Sequence, residues 1–271
     1  MFKYNELIIN ESLAYFIKKI WILDNLSNPL PENNRTIVPN GCFNIAFIAG
    51  QGAIVYIDQK PLRLNQGIYF CGQATQSVIV DILPATKVNM VQLFPWAISM
   101  FTNYDMRLCK RKIIPLKNIN EEFENKASSL NTFDENQILA YLYNQFTDFL
   151  FKNEHTLLLY KACISIINSH GGVSIKKLSE QLGCSTRYLQ KLFLQYVGLT
   201  PKEFSIIIKL RNAIDLLAYP SSKANSSLTQ LAMDSDFYDQ AHFINTFKTI
   251  VRTLPGKFIP SEFLLANKKI N

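Results

Sequence analysis

Short apolar runs broken by turn residues fill the first third of this chain. Phe43-Asn44-Ile45-Ala46-Phe47-Ile48, Ala53-Ile54-Val55-Tyr56-Ile57 and Ser77-Val78-Ile79-Val80 are β-branched or aromatic, with Gly41, Gly50, Gly52, Pro61, Gly67, Gly72 and Pro84 between them. Closely spaced runs of this kind predict strands of a small barrel or sandwich, and Lys87–Phe94 reads as one more strand. Near Pro95 the period changes, and Trp96–Tyr104 reads as a helix. Asp134 is placed to cap a helix through Phe151, in which Ile138, Leu139, Leu142, Phe146 and Phe149 recur at helical spacing. Thr156–Ser169 carries a second such stripe and ends at His170-Gly171-Gly172, where glycine suits the left-handed turn past a helix. The polar stretch Glu121–Asn136 reads as a loop or linker.

The last hundred residues hold a degenerate repeat. Leu178 is matched by Leu231 at an offset of 53, and Phe193 by Phe247 and Pro201 by Pro255 at an offset of 54. The one-residue difference falls in a turn between helices, where an insertion is best tolerated. Each copy reads as a short helix, a tight turn and a second helix, the unit that enters a DNA groove. In the first, Ser174 precedes Ile175, Leu178 and Leu182 as a cap, Gly183 ends the helix, and Ser185 caps the next. That second helix buries Leu189, Leu192, Phe193 and Tyr196, which leaves Arg187, Gln190 and Lys191 outward. Arginine can bond guanine bidentately and glutamine adenine. Thr200-Pro201 starts a long connecting helix that runs toward Pro220. In the second copy Phe237 fills the turn, Asp239 is the cap and Phe243, Phe247 and Ile250 form the core stripe. Gln240, Ala241, His242 and Asn245 then face a groove, with Lys248 set for phosphate.

Charge agrees with the repeat. Of a formal net +7, the part from Gly171 onward holds +6 (13 Lys and Arg, 7 Asp and Glu), so the basic half is the one with an anionic partner. Lys176, Lys177, Lys209, Lys223, Lys248 and Lys257 are candidates for backbone contacts that set register without reading sequence. The five cysteines are widely spaced with no C-x-x-C pair, as expected of reduced, mostly buried thiols. No apolar run reaches the length of a membrane span, and Met1–Glu6 does not open a signal peptide, so a cytoplasmic protein is expected. Three histidines, none in the β-rich part, argue against a metal-dependent enzyme or a Cys-His nucleophile there. No enzymatic activity, catalytic residue, metal or cofactor is expected. Trp21, Tyr56, Tyr69, Phe70 and Trp96 are candidates either for core packing or for the lining of an apolar pocket.

Ile175–Gly183, Ser185–Phe193, Gly198-Leu199-Thr200-Pro201 and Phe237–Phe243 with Phe247-Lys248 together resemble the AraC/XylS-type bacterial transcription regulators over roughly Ser165–Ser261. The resemblance implies two helix-turn-helix units joined by a linker helix, entering successive major grooves. It completes the DNA-binding set as Ser185, Thr186, Arg187, Gln190 and Lys191 in the first unit, and Tyr238, Gln240, Ala241, His242, Asn245 and Lys248 in the second. The family usually has glycine at the positions of Asp236 and Arg252. These departures predict that the first unit dominates specificity, and motivate an alternative in which the chain acts mainly through protein contact or effector binding. Ile37–Phe47, Gly72-Gln73 and Val91–Pro95 are similar to the amino-terminal domain of one branch of these regulators.

The expectation is therefore an α+β chain of two domains. Residues 1–155 form a β-rich, cupin-like barrel or sandwich with trailing helices that senses a ligand or dimerises. Residues 156–271 form an all-α domain of two helix-turn-helix units. Double-stranded DNA is the expected partner. A small-molecule effector, a second copy of the chain and, for an activator, RNA polymerase are the further ones.

Overall fold

The computed structural model describes residues 3–130, 134–146, 154–218 and 228–263. Ten strands come first: β1 Lys3–Leu7, β2 Ile17–Asp24, β3 Glu32–Ile37, β4 Phe43–Gly50, β5 Ala53–Ile57, β6 Lys60–Leu64, β7 Gly67–Cys71, β8 Val78–Ile82, β9 Thr86–Leu93 and β10 Ile113–Pro115. They make two antiparallel sheets, in the orders β1-β2-β9-β4-β7-β10 and β3-β8-β5-β6. Among the described residues the sheets face one another without closing into one ring.

The long central strands of the larger sheet are apolar on both faces, and this is why the Lys87–Phe94 segment does not alternate cleanly. Phe43, Ile45 and Phe47 of β4 and Val91 and Leu93 of β9 point into a core shared with the helices. Ala46 and Ile48 of β4, Val88 of β9, and Trp21 and Leu23 of β2 point the other way, toward Val55, Val80 and Ile82 of the smaller sheet. A strand buried on both sides reads as a continuous apolar run rather than an alternating one.

The helices are α1 Ile98–Phe101, α2 Glu121–Ala127, α3 Glu135–Phe146, α4 Glu154–Asn168, α5 Ile175–Gln181, α6 Thr186–Leu192, α7 Pro201–Ala218, α8 Leu228–Asp234 and α9 Gln240–Val251. Three expectations need correction. The Trp96–Tyr104 helix shrinks to α1 after a 3-10 turn at Pro95–Ala97. It stops at Thr102, whose extended backbone (φ −159°) lets the hydroxyl donate to the Ile119 carbonyl at 2.8 Å. The polar Glu121–Asn136 stretch holds a real helix, α2, because Asn120 caps it through the Phe123 amide and Phe123 and Ala127 insert into the core. Ser174 precedes α5 but its side chain caps nothing; the turn closes through its carbonyl, which accepts from the Leu178 amide at 2.9 Å.

Other caps form as the residues dictate. Asp134 accepts from the Asn136 amide at 2.9 Å. Residues 147–151 of the expected helix lie outside the described residues, as do Pro220 and the loop 221–227. Thr200 and Glu203 form a reciprocal capping box: the Thr200 hydroxyl accepts from the Glu203 amide at 3.1 Å, and the Glu203 carboxylate accepts from the Thr200 amide at 2.8 Å. No described helix is long and apolar enough to cross a membrane.

The α-helical half packs against the β half at several points. Trp96 is 1% exposed, stacks on Phe94 and meets Tyr160 of α4 edge-on, and so belongs to the core of the first helix-turn-helix unit. Val38, just after β3, joins the core of the second unit beside Leu210, Ala213 and Ile214 of α7.

Candidate nucleic-acid interface

Each unit is assembled the same way. In the first, Ser185 caps α6 by accepting from the Tyr188 amide at 3.1 Å, and Gly183 turns the chain at φ +66°. Leu189, Leu192 and Phe193 are buried. Arg187, Gln190 and Lys191 are exposed on the opposite face of the helix. α6 runs into a π-helical turn at Phe193–Val197 that ends at left-handed Gly198. In the second unit, Asp239 caps α9 by accepting from the His242 amide at 2.7 Å. Phe243, Phe247 and Ile250 are buried. Ala241, His242, Asn245 and Lys248 are exposed, and Tyr238 is 92% exposed at the entry to the helix. α7 carries both units, with Phe204 and Ile207 in the first core and Leu210, Ala213 and Ile214 in the second.

Two positions in the set are held from within. Thr186 is half-buried and shares a 3.0 Å hydrogen bond with Ser179 of α5. In the second unit, where Ala232 replaces Ser179, the Thr229 hydroxyl of α8 instead donates to the side-chain amide oxygen (Oε1) of Gln240 at 2.6 Å. Sequence reasoning missed Thr229, since nothing in the α8 pattern marks it apart from a hydroxyl two residues before the buried Leu231. The contact points the Gln240 amide nitrogen away from α8.

The glycine-replacing residues each have a structural use. Asp236 (φ +57°) and Arg252 (φ +68°) both adopt the left-handed conformation. Asp236 pairs with Lys209 of α7 at 2.7 Å. Lys209 is therefore engaged inside the domain rather than free for phosphate, and its position among the backbone-contact candidates is corrected. Lys223 lies outside the described residues, while Lys176, Lys177 and Lys257 are exposed. Arg252, at the end of α9, reaches the β half, where it hydrogen-bonds Gln76 and lies 3.7 Å from Asp58. Beside it the Ser77 amide donates to the Ile250 carbonyl at 2.7 Å.

Between the two sheets lies a cavity of about 320 Å³. Trp21, Ala46, Val55, Val80 and Met90 line it, while Gln76 and Ser77 and two residues of α7, Arg211 and Asp215, border it. Of the five aromatic residues proposed from sequence, Trp21 alone is in its wall. Phe70 and Trp96 are core residues of other clusters, and Tyr56 hydrogen-bonds Asp81. Tyr69 packs beside the inter-sheet core. Cys42 and Cys71 also border the cavity, and burial pushes both thiols up, Cys71 to about 12. Such thiols stay protonated at neutral pH and react slowly.

The carboxy-terminal part is thus two helix-turn-helix units built on one connecting helix. A family model described as a helix-turn-helix domain matches residues 178–260, and one described as a domain of unknown function (DUF6597) matches residues 8–115. In its carboxy-terminal part the chain is similar to the AraC/XylS-type regulators. It is 33% identical over 75 residues to the uncharacterized HTH-type transcriptional regulator YidL of Escherichia coli (strain K12), a match over 28% of this chain. The chain spans about a quarter (24%) of the length of that relative. Among solved structures it is similar to an AraC-type DNA-binding domain-containing regulator from Chromobacterium violaceum (24% identity, 37% of this chain and 87% of that one, TM-score 0.34). It is also similar to ToxT from Vibrio cholerae O395 (12% identity, 94% and 96%, TM-score 0.46).

Proposed function

We propose that the chain is a sequence-specific transcription regulator whose α6 and α9 read successive major grooves of duplex DNA, under the control of the β-rich half. The observation that carries this reading is the repeated unit itself: two capped second helices, each apolar inward and polar outward, on one shared helix. Arg187, Gln190 and Lys191 read bases in the first groove. Gln240, Ala241, His242 and Asn245 do so in the second, with Ser185, Thr186, Tyr238 and Lys248 at the edges of the contact. Arg187 and Gln190 have the bonding capacity that base edges require, whereas Ala241 offers only apolar contact, so the first unit carries more of the specificity.

Residues 1–155 form the regulatory part and 156–271 the DNA-binding part, with the cavity between the sheets as the effector site. A protein of this kind works in the cytoplasm, alone or as a homodimer, and meets RNA polymerase where it activates. The contacts of Gln76, Ser77 and Asp58 with the end of α9 favour control exerted on the second unit. If those contacts withhold that unit altogether, the chain acts chiefly through the first unit and through its partners.

Selection of fragmented genomic DNA by the full-length protein, with Arg187→Ala in parallel, tests the reading. A shared motif that spans two grooves and relaxes at one base pair in the variant is the expected result. The same motif at unchanged stringency would remove Arg187 from the readers, and no enrichment in either sample would overturn direct DNA reading. Phosphate contacts release counterions, so affinity falls steeply with salt.

A further inference from the structure

We infer that Thr229 of α8 holds Gln240 of α9 as a hydrogen-bond donor toward DNA, so that the second unit selects guanine over adenine at the base pair beneath Gln240. This rests on the reading that α9 enters a major groove, and adds to it the polarity of one base contact and the residue that sets it.

Gln240 is the first residue of α9, directly after the cap Asp239. Thr229 stands on α8, the helix that precedes it in the unit. The Thr229 hydroxyl and Oε1 of Gln240 are 2.6 Å apart. That separation is ordinary for a hydroxyl giving its hydrogen to an oxygen (about 2.5–3.0 Å) and short for an amide nitrogen giving one (about 2.7–3.2 Å), so the hydroxyl donates and the amide oxygen accepts. Because the amide is planar, an oxygen turned toward α8 leaves Nε2, with its two hydrogens, as the end that points away from that helix.

A glutamine with both ends available suits adenine, since its nitrogen donates to N7 while its oxygen accepts from the N6 amino group. Gln240 has its oxygen engaged by Thr229. The adenine amino group then meets the Nε2 hydrogens, donor against donor, and gives up water for no new partner. Guanine presents two acceptors side by side, N7 and O6, which match the two hydrogens. Thymine offers a single acceptor and cytosine an amino donor, so guanine is the base this arrangement favours.

The first unit has the opposite polarity at the corresponding place. The Ser179 hydroxyl donates to the Lys176 carbonyl at 2.8 Å. A hydroxyl has one hydrogen to give, so in the 3.0 Å contact between Ser179 and Thr186 the hydrogen comes from Thr186. Thr186, the first residue of α6, is left with lone pairs to offer, whereas Gln240 is left with hydrogens. The donor signature therefore belongs to one half of the operator, beneath α9.

Binding-site selection from a randomised duplex library by the full-length protein, followed by anisotropy on the four single-base versions of the selected site, tests the contact. The position beneath Gln240 is the one whose preference Gln240→Ala flattens. In the parent, guanine is expected there over adenine by roughly tenfold, the scale of one bidentate base contact. Thr229→Val frees Oε1 and moves the preference roughly tenfold toward adenine. Thr229→Ser keeps the hydroxyl and with it the parent preference. Thr229 is exposed, and Thr229→Ala repeats the valine measurement with a better helix former. Thermal unfolding is the folding control for each variant. Adenine at that position in the parent, an unchanged preference in Thr229→Val and Thr229→Ala, or a Thr229→Ser that behaves like them would overturn the inference while leaving α9 a base reader. A motif with no position sensitive to Gln240→Ala would remove α9 from the readers as well, so the two failures are told apart.

Discussion

The ammonium of Lys209 lies 2.7 Å from the carboxylate of Asp236, joining the middle of α7 to the tight turn between α8 and α9. Aspartate thus stands in a left-handed turn with a partner that glycine could not supply. The side chain has two opposing effects. It strains a backbone at φ +57° by roughly 1 kcal/mol, and it holds the turn to the linker helix. Asp236→Gly removes both, so its unfolding free energy stays within about 1 kcal/mol of the parent. Asp236→Ala keeps the strain and loses the pair, and is destabilised by about 1–2 kcal/mol. Urea unfolding of the two variants checks the order.

Gly41 packs against the same helix from the β side. It sits at φ +75°, and a Cβ there would lie 2.5 Å from Cε2 of Phe204. Its carbonyl accepts from the buried Gln73 amide at 3.0 Å, which fixes the loop that presents it. Gly41→Ala is expected to cost about 2–3 kcal/mol, from left-handed strain plus overpacking. Combining it with Phe204→Leu returns part of the overpacking cost, so the double variant falls short of the sum of the singles. Additive losses in thermal unfolding would place the strain in the loop alone.

Glu203 carries a pH dependence of known sign. Burial pushes its carboxyl up, but hydrogen bonds from Lys110 and Thr200 outweigh it and hold the group below the ordinary carboxylate value of 4.5. A carboxyl depressed in the folded state adds stability above its unfolded pKa and loses it as pH falls through the folded value. Glu203→Gln therefore melts lower than the parent at pH 7, and the gap closes as the buffer is taken below about pH 4. A gap that persists in acid would assign the effect to the capping box alone.

Thr229 and Lys248 make a contrasting pair for the second unit. Thr229→Val frees the Gln240 carbonyl and shifts the base preference under α9, with little change in salt dependence. Lys248→Ala weakens all sequences alike and lowers the salt slope by about 1. Binding-site selection and salt titration on the full-length variants separate specificity from backbone contact.

The helical half was legible in sequence because its signals are local. Ser185, Asp239, Gly183 and Thr200-Pro201 act within a few residues, and the repeat confirms each against its counterpart. The β half was legible only as a class. β1, β3 and β6 carry polar residues on sheet edges and stand out as no individual strand, while β4 is apolar on both faces and hides its period. The capping of α2 by Asn120 was missed beneath a run of acidic and amide side chains that marks only its outer face. The cavity was invisible because it is made of distances between strands far apart in sequence. Lys209 shows the limit on the polar side, since a lysine bound to a carboxylate 27 residues away reads the same as one free for phosphate.

The shared helix α7 is also a lever. Its 18 residues, at 1.5 Å each, span about 27 Å. A tilt of about ten degrees at one end displaces the other by roughly 5 Å, more than the ~3 Å reach of a hydrogen bond. On the proposed reading, two units fixed to such a rod cannot both stay in register with a rigid duplex unless its angle is right, so a change too small to alter either unit would suffice to switch between one-handed and two-handed grip.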